Sequence, residues 1–256
     1  MMHHEKLSKN VRWPISISLL QMALAAILTL TPITHATVVF SDGDFNLADW
    51  QSTKYYWGNG GSVTLSQIAS GGNPGKFLEV DLYLQNAGPD WSVVYGSHLR
   101  NGATYDPAIQ GAIQAIDYTI NYMNLQTIGV GMDFAMTLKQ DGNTYHNFRE
   151  QSGTVPGWKT EADFGLQASS FGLMIPISYS FIVDFSQNPD FSDSGSPIEF
   201  GLATWRAHTE SDNPAIENVG FDNWSVTVHP VPEPAAFTLM ALGGLLLKKR
   251  KNPPDS

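Results

Sequence analysis

The 256-residue sequence predicts an all-β protein built on a single antiparallel β-sandwich, and three observations carry that prediction. Apolar and polar residues alternate with period two through several separate runs. Glycine-rich turn signals divide those runs at fairly even spacing. Sustained helical spacing is absent from the middle of the chain. The sandwich occupies residues 37–230, between an N-terminal segment (1–36) read below as a signal peptide and a C-terminal tail (231–256) that contains a short apolar membrane helix followed by a basic cluster.

From the N-terminus, Lys6, Lys9 and Arg12 precede an apolar run over 15–30, and Thr34-His35-Ala36 follows as a small-x-small cleavage site. The run is too short and too polar, with Ser16, Ser18 and Gln21, for a permanent span. These features predict a signal peptide cut by signal peptidase between Ala36 and Thr37.

The period-two runs come next. In 78–84, Leu78, Val80, Leu82 and Leu84 alternate with Glu79, Asp81 and Tyr83. In 116–122, Ile116, Tyr118, Ile120 and Tyr122 alternate with Asp117, Thr119 and Asn121. In 127–138, Ile128, Val130, Met132, Phe134, Met136 and Leu138 share one face. Successive side chains leave opposite faces of a strand, so each run reads as a half-buried antiparallel strand. Asp141-Gly142, between Leu138 and Tyr145, is the best hairpin turn. Trp224 shares a face with Val226 and Val228 and reads as core. A short helical turn is expected at 161–166. No repeat or linker divides the middle, so one domain is expected.

The tail runs Val231-Pro232-Glu233-Pro234, then 13 apolar residues over 235–247, then Lys248-Lys249-Arg250-Lys251. As a helix the apolar piece is about 20 Å long against a hydrocarbon core of about 30 Å, a marginal span helped by lysine snorkelling. The basic cluster would stay cytoplasmic and hold the preceding domain on the outer face.

Charge and composition exclude several functions. The 14 Lys and Arg include seven outside 37–230, as do three of the 24 Asp and Glu, so the middle carries a net charge of −14. Such a surface repels phosphate backbones and argues against nucleic-acid partners. The chain has no cysteine, which excludes disulfides, thiolate zinc sites and a cysteine nucleophile. The mature region contains no His-Glu-x-x-His, Gly-x-Ser-x-Gly, Ser-x-x-Lys or phosphate-binding glycine loop. Its four histidines, His98, His146, His208 and His229, are scattered and read as surface or loop residues. Glu79 and Asp81 share a strand face, but Tyr83 stands where a third carboxylate would complete an acidic triplet, so they read as a solvent face rather than as a hydrolytic pair. No residue is assigned a catalytic role. Among the aromatics, Trp57, in the loop-like Tyr55-Tyr56-Trp57-Gly58, and Trp205, expected to be exposed, are candidates for stacking on sugar rings.

The tail resembles the PEP-CTERM sorting signal of Gram-negative bacteria, through Pro232-Glu233-Pro234, the apolar helix and the terminal basic cluster. That resemblance implies recognition of the Val231-Pro232-Glu233-Pro234 motif by an exosortase. The protein would first be anchored in the inner membrane facing the periplasm, then placed at the cell surface or in the extracellular matrix among exopolysaccharide. The middle resembles jelly-roll sandwiches of the concanavalin A/laminin-G and carbohydrate-binding-module type, through Val39-Phe40-Ser41-Asp42 and the closing run from Gly220 to Val226. It implies a non-enzymatic glycan-binding or structural protein, with a secreted glycan-active hydrolase or lyase as the alternative. Asp42-Gly43-Asp44-Phe45-Asn46 offers oxygen ligands at alternate positions, and the same resemblance implies that Asp222 joins Asp42 and Asp44 around a structural calcium ion.

Overall fold

The computed structural model describes residues 35–58, 60–84, 92–125, 132–147, 150–151, 157–178, 180–208 and 215–232. The expected signal peptide, apart from the residues at its expected cleavage point, and the tail from Glu233 onward, with Pro234, Lys248, Lys249, Arg250 and Lys251, lie outside these. Residues His35–Val231 form one compact unit. Among the described residues no helix is long and apolar enough to cross a membrane.

Fourteen strands are described: β1 (Val38–Asp42), β2 (Trp50–Trp57), β3 (Gly61–Gly72), β4 (Gly75–Leu84), β5 (Ser92–Tyr105), β6 (Ile113–Asn124), β7 (Asp133–Gln140), β8 (Asn143–His146), β9 (Glu150–Gln151), β10 (Lys159–Leu166), β11 (Gly172–Ile177), β12 (Ser180–Asp184), β13 (Ile198–His208) and β14 (Ala215–Pro230). They form two antiparallel sheets. The six-stranded sheet runs β10-β6-β14-β4-β3, with β1 also on β14. The eight-stranded sheet runs β12-β11-β8-β7-β13-β5-β2, with β9 also on β7.

The period-two runs become the facing layers of the core. Leu78, Val80, Leu82, Ile116, Tyr118, Ile120, Phe221, Trp224 and Val226 of one sheet are buried against Val94, Phe134, Met136, Leu138, Phe200 and Leu202 of the other. Burying such side chains contributes about 1.5–3 kcal/mol each relative to exposure, which fixes register, because a one-residue slip would turn every one of them outward. Trp224 is fully buried and meets Trp50 edge-on, with centroids 5.4 Å apart.

β7 and β8 form the expected hairpin. Gln140 pairs with Asn143, and Asp141 (φ 52°) and Gly142 (φ 79°) both take the left-handed conformation that a two-residue turn needs. The expectation at 161–166 is corrected. Residues 159–163 pair with β6, and the segment is an edge strand ending in an irregularity between Asp163 and Leu166. An edge strand has only one neighbour and buries little, and Phe164 is 72% exposed, so its alternation is blurred in the sequence. The one α-helical turn described is Pro107–Gln110, capped by the Asp106 side chain on the Ala108 N–H.

Candidate functional site

The eight-stranded sheet is aromatic on the face turned away from the core. β2 contributes Tyr55 and Trp57, β5 contributes Tyr95, and Tyr55 pairs directly with Tyr95. Trp205 on β13 is the next neighbour, in register with Tyr95. His146 on β8 and Phe181 on β12 complete the group.

β2 and β12 stand at opposite ends of the strand order, yet the Trp57 and Phe181 centroids are only 6.0 Å apart. The sheet therefore rolls over its own outward face. Phe181 lies 5.2 Å from Tyr95 and 5.6 Å from Trp205, in each case roughly edge to face. His146 lies 6.0 Å from Trp205, and its Nε2 is 2.9 Å from the Tyr95 hydroxyl. Tyr95, Trp205 and His146 form a buried lower layer, at 0%, 6% and 0% exposure. Burial holds the His146 imidazole down at about pKa 3, against a smaller opposing effect of a hydrogen bond with the Met136 backbone. It also drives the Tyr95 phenol well above its ordinary value. Both rings are thus neutral at pH 7.

Above them lies an outer layer. Tyr55 and Trp57 stack at 5.8 Å with an angle of 23° between ring planes. Trp57 is half-buried, while Tyr55 and Tyr56 are exposed. Two exposed or half-exposed rings on a buried aromatic bed make a fixed apolar platform with a polar rim.

The sequence expectations fare unevenly here. Trp57 lies in the platform, but on a strand rather than in a loop. Trp205 is on the outward face as read from the alternation, but the expectation of exposure is corrected, because Phe181 covers it. His98 and His146, read as surface or loop residues, are both fully buried. Neither Tyr95 nor Phe181 carries a signal in the sequence that marks it for this face. Tyr95 lies two positions from Val93 and Ser97 within a strand, a spacing that gives its face but not what packs on it.

Asp42 and Asp222, two of the three aspartates expected around calcium, accept hydrogen bonds from protein donors. Asp42 Oδ1 accepts from the Asp44 and Phe45 N–H groups at 3.0 and 2.8 Å, and its Oδ2 accepts from Trp50 Nε1 at 2.9 Å and Arg100 Nε at 2.8 Å. Asp222 instead accepts from the backbone N–H groups of Asn73 and Asn223. Asp44 is exposed. Among the described residues no group of three or more His, Asp or Glu side chains is arranged to hold a metal ion.

Glu79 and Asp81 lie half-buried on the outward face of the six-stranded sheet. Burial and the neighbouring charge of Glu79 raise the Asp81 pKa, against a hydrogen bond from Asn218. A shallow cavity of about 300 Å³ beside β1 is lined by Val39, Phe40, Ser41 and residues 100–103. Its charged side chain, Arg100, is already paired with Asp42 and with Asp49 at 3.5 Å. At the expected processing positions, Ala36, Thr37, Val231 and Pro232 are exposed.

No protein-family model and no curated protein matches this chain. Among solved structures it is similar to the C-terminal family 22 carbohydrate-binding module of Clostridium thermocellum Xyn10B, with 13% identity over 74% of this chain and 92% of that one and a TM-score of 0.35. It is also similar to TmCBM27, a carbohydrate-binding module with specific mannan recognition, at 11% identity over 76% of this chain and 99% of that one, TM-score 0.37. A third is the K1 cleaved adhesin domain of Lys-gingipain from Porphyromonas gingivalis W83, at 12% identity over 76% and 99%, TM-score 0.39. With TM-scores below 0.5 these overlaps assign neither fold nor activity, and the all-β sandwich stands on the chain's own strand pairing.

Proposed function

We propose that the protein is an exported, non-catalytic glycan-binding protein whose contact surface is the Tyr55–Trp57 platform. The observation that carries this reading is the two-layered aromatic face of the eight-stranded sheet. A sugar ring has an apolar C–H face and a hydroxyl rim. A flat ring matches the first, and the Tyr55 hydroxyl is suited to the second. Because Tyr95, Trp205 and Phe181 already hold the platform, little conformational entropy is lost on binding. The sorting signals complete the reading: export with cleavage between Ala36 and Thr37, an inner-membrane stage held by the tail, exosortase processing, and a final place among exopolysaccharide at the surface of a Gram-negative cell.

The test is retention of the full-length protein, in detergent, on immobilised xylan, glucomannan and xyloglucan, with reducing and unsaturated ends assayed in the same mixtures. Retention without product release is expected. Tyr55→Ala combined with Trp57→Ala should weaken retention at least tenfold, about 1.4 kcal/mol or more, with circular dichroism unchanged. Product release would turn the reading toward a glycan-active enzyme. Retention unaffected by the double substitution would place the contact elsewhere.

A further inference from the structure

The outward face of the six-stranded sheet carries a second ring fixed in the same manner. Trp158, just before β10, lies across β14 at Gly220, where an added Cβ would stand 3.3 Å from the indole and 3.0 Å from Phe77. Phe77 meets Trp158 edge-on, with centroids 5.5 Å apart, and the indole N–H donates to the Gly71 carbonyl at 3.0 Å. Three elements therefore hold this half-exposed ring, and the absence of a side chain at residue 220 provides its seat.

From that seat a polar row runs along the sheet. Gly220 pairs with Glu79 and Asn218 pairs with Asp81. Beyond them Tyr83, 36% exposed, pairs with Ile216. Glu79 and Tyr83 are four residues apart on one strand, so the row spans about 13 Å between its aromatic ends. Asp81 Oδ1 is buried and has no hydrogen-bond partner.

We infer that this face is a second polysaccharide-contact surface, with Trp158 and Tyr83 as its rings and Glu79, Asp81 and Asn218 as its hydroxyl partners. The inference rests on the glycan reading above for its biological setting. The outward described positions of β3, β4, β6 and β14 include no lysine or arginine, while Glu79 and Asp81 lie in the row itself. Like charges in such a row repel uronate and sulfate groups, so the glycan is a neutral one. The two surfaces lie on opposite faces of one sandwich. A single molecule would therefore join two polysaccharide chains.

Titration calorimetry of the full-length protein with xylohexaose, mannohexaose and cellohexaose counts the sites. At least one of these probes should bind at two per chain, and trigalacturonate should bind at least tenfold more weakly at the Trp158 face. Trp158→Ala and, independently, Tyr83→Ala should each lower the count to one. Tyr55→Ala with Trp57→Ala should also leave one, with the Trp158 face as the survivor. Turbidity with soluble xyloglucan should rise and then fall as protein is added, and Trp158→Ala should abolish the rise. A count of one in the wild type, abolished by the Tyr55 and Trp57 changes, would overturn the second surface and leave the first. No binding of any hexasaccharide would overturn both.

Discussion

His98 sits on the core side of β5 with Nδ1 2.9 Å from the Ser52 hydroxyl and Nε2 3.2 Å from Thr204 Oγ1. Burial, with a smaller repulsion from Lys54, lowers its pKa to about 3, and burial does the same for His146. A histidine that is neutral when folded but takes up a proton near pH 6.5 when unfolded favours unfolding in acid. Between pH 6.5 and 3 the unfolded state binds more protons, so stability rises with pH across that window and is lost as pH falls through it. The loss approaches an order of 4 kcal/mol per histidine at the acid end. Urea midpoints measured from pH 7 to pH 4 should therefore fall, and His146→Gln should make the fall shallower. A flat profile in the wild type would mean that neither ring resists protonation. None of this was legible in the sequence. The histidines have no close spacing, and the partners of His98 lie 46 and 106 positions away. Alternation reports the face a residue takes in its own strand, not the polar atom waiting across the sheet.

At the level of the element, alternation was reliable wherever a strand packs on the core and weak wherever it does not. The faces of β4 and β6 follow the apolar pattern because burial on one side selected it, β7 keeps the pattern although both its faces are covered, and the Asp141-Gly142 turn follows from two positive φ values. β10 escaped because an edge strand carries little of that selection, and the cover over Trp205 escaped because β12 reaches it only through the roll of the sheet. Glycine marks another such feature. The pairing of β13 with β5 shifts between Glu199 and Gly201, and a Cβ on Gly201 would lie 2.0 Å from the His98 carbonyl oxygen. A contact that short is with backbone, so the strands themselves must separate. Gly201→Ala should destabilise the fold by about 3 kcal/mol, at the upper end of ordinary overpacking. Chemical denaturation would check it, and a change within about 0.5 kcal/mol would show that the shift in register is soft.

For the whole molecule, the two ends carry the most specific patterns in the sequence, because a linear pattern needs no folding to be read. Glu233 is the only charge between Asp222 and Lys248, apart from the titratable His229, so a recognition pocket would read it electrostatically. Glu233→Ala should leave the sandwich folded and hold the full-length form in the inner membrane of a host with its exosortase. The wild type should appear further out and shorter by about the length of the tail. Fractionation and gel mobility provide the comparison, and identical behaviour would mean the motif is not used. The acidic middle and the absence of cysteine set outer bounds on partners and chemistry. The aromatic face needed the fold, since it joins residues from β2, β5, β8, β12 and β13.

The first strand of the sandwich has a further bearing on how such a chain is made. β1 pairs with β14, with Val38 opposite Val228 and Asp42 opposite Trp224. While the ribosome is still adding residues, β1 has no edge to join, and β14, the central strand of its sheet, is the last to emerge. The six-stranded sheet therefore cannot close until nearly the whole domain has been synthesised, and contacts of such long sequence separation form slowly. For a protein that must thread through a narrow membrane pore before it folds, this delay is an advantage. On the export reading proposed above, the order of the strands along the chain keeps it threadable until it has reached the far side.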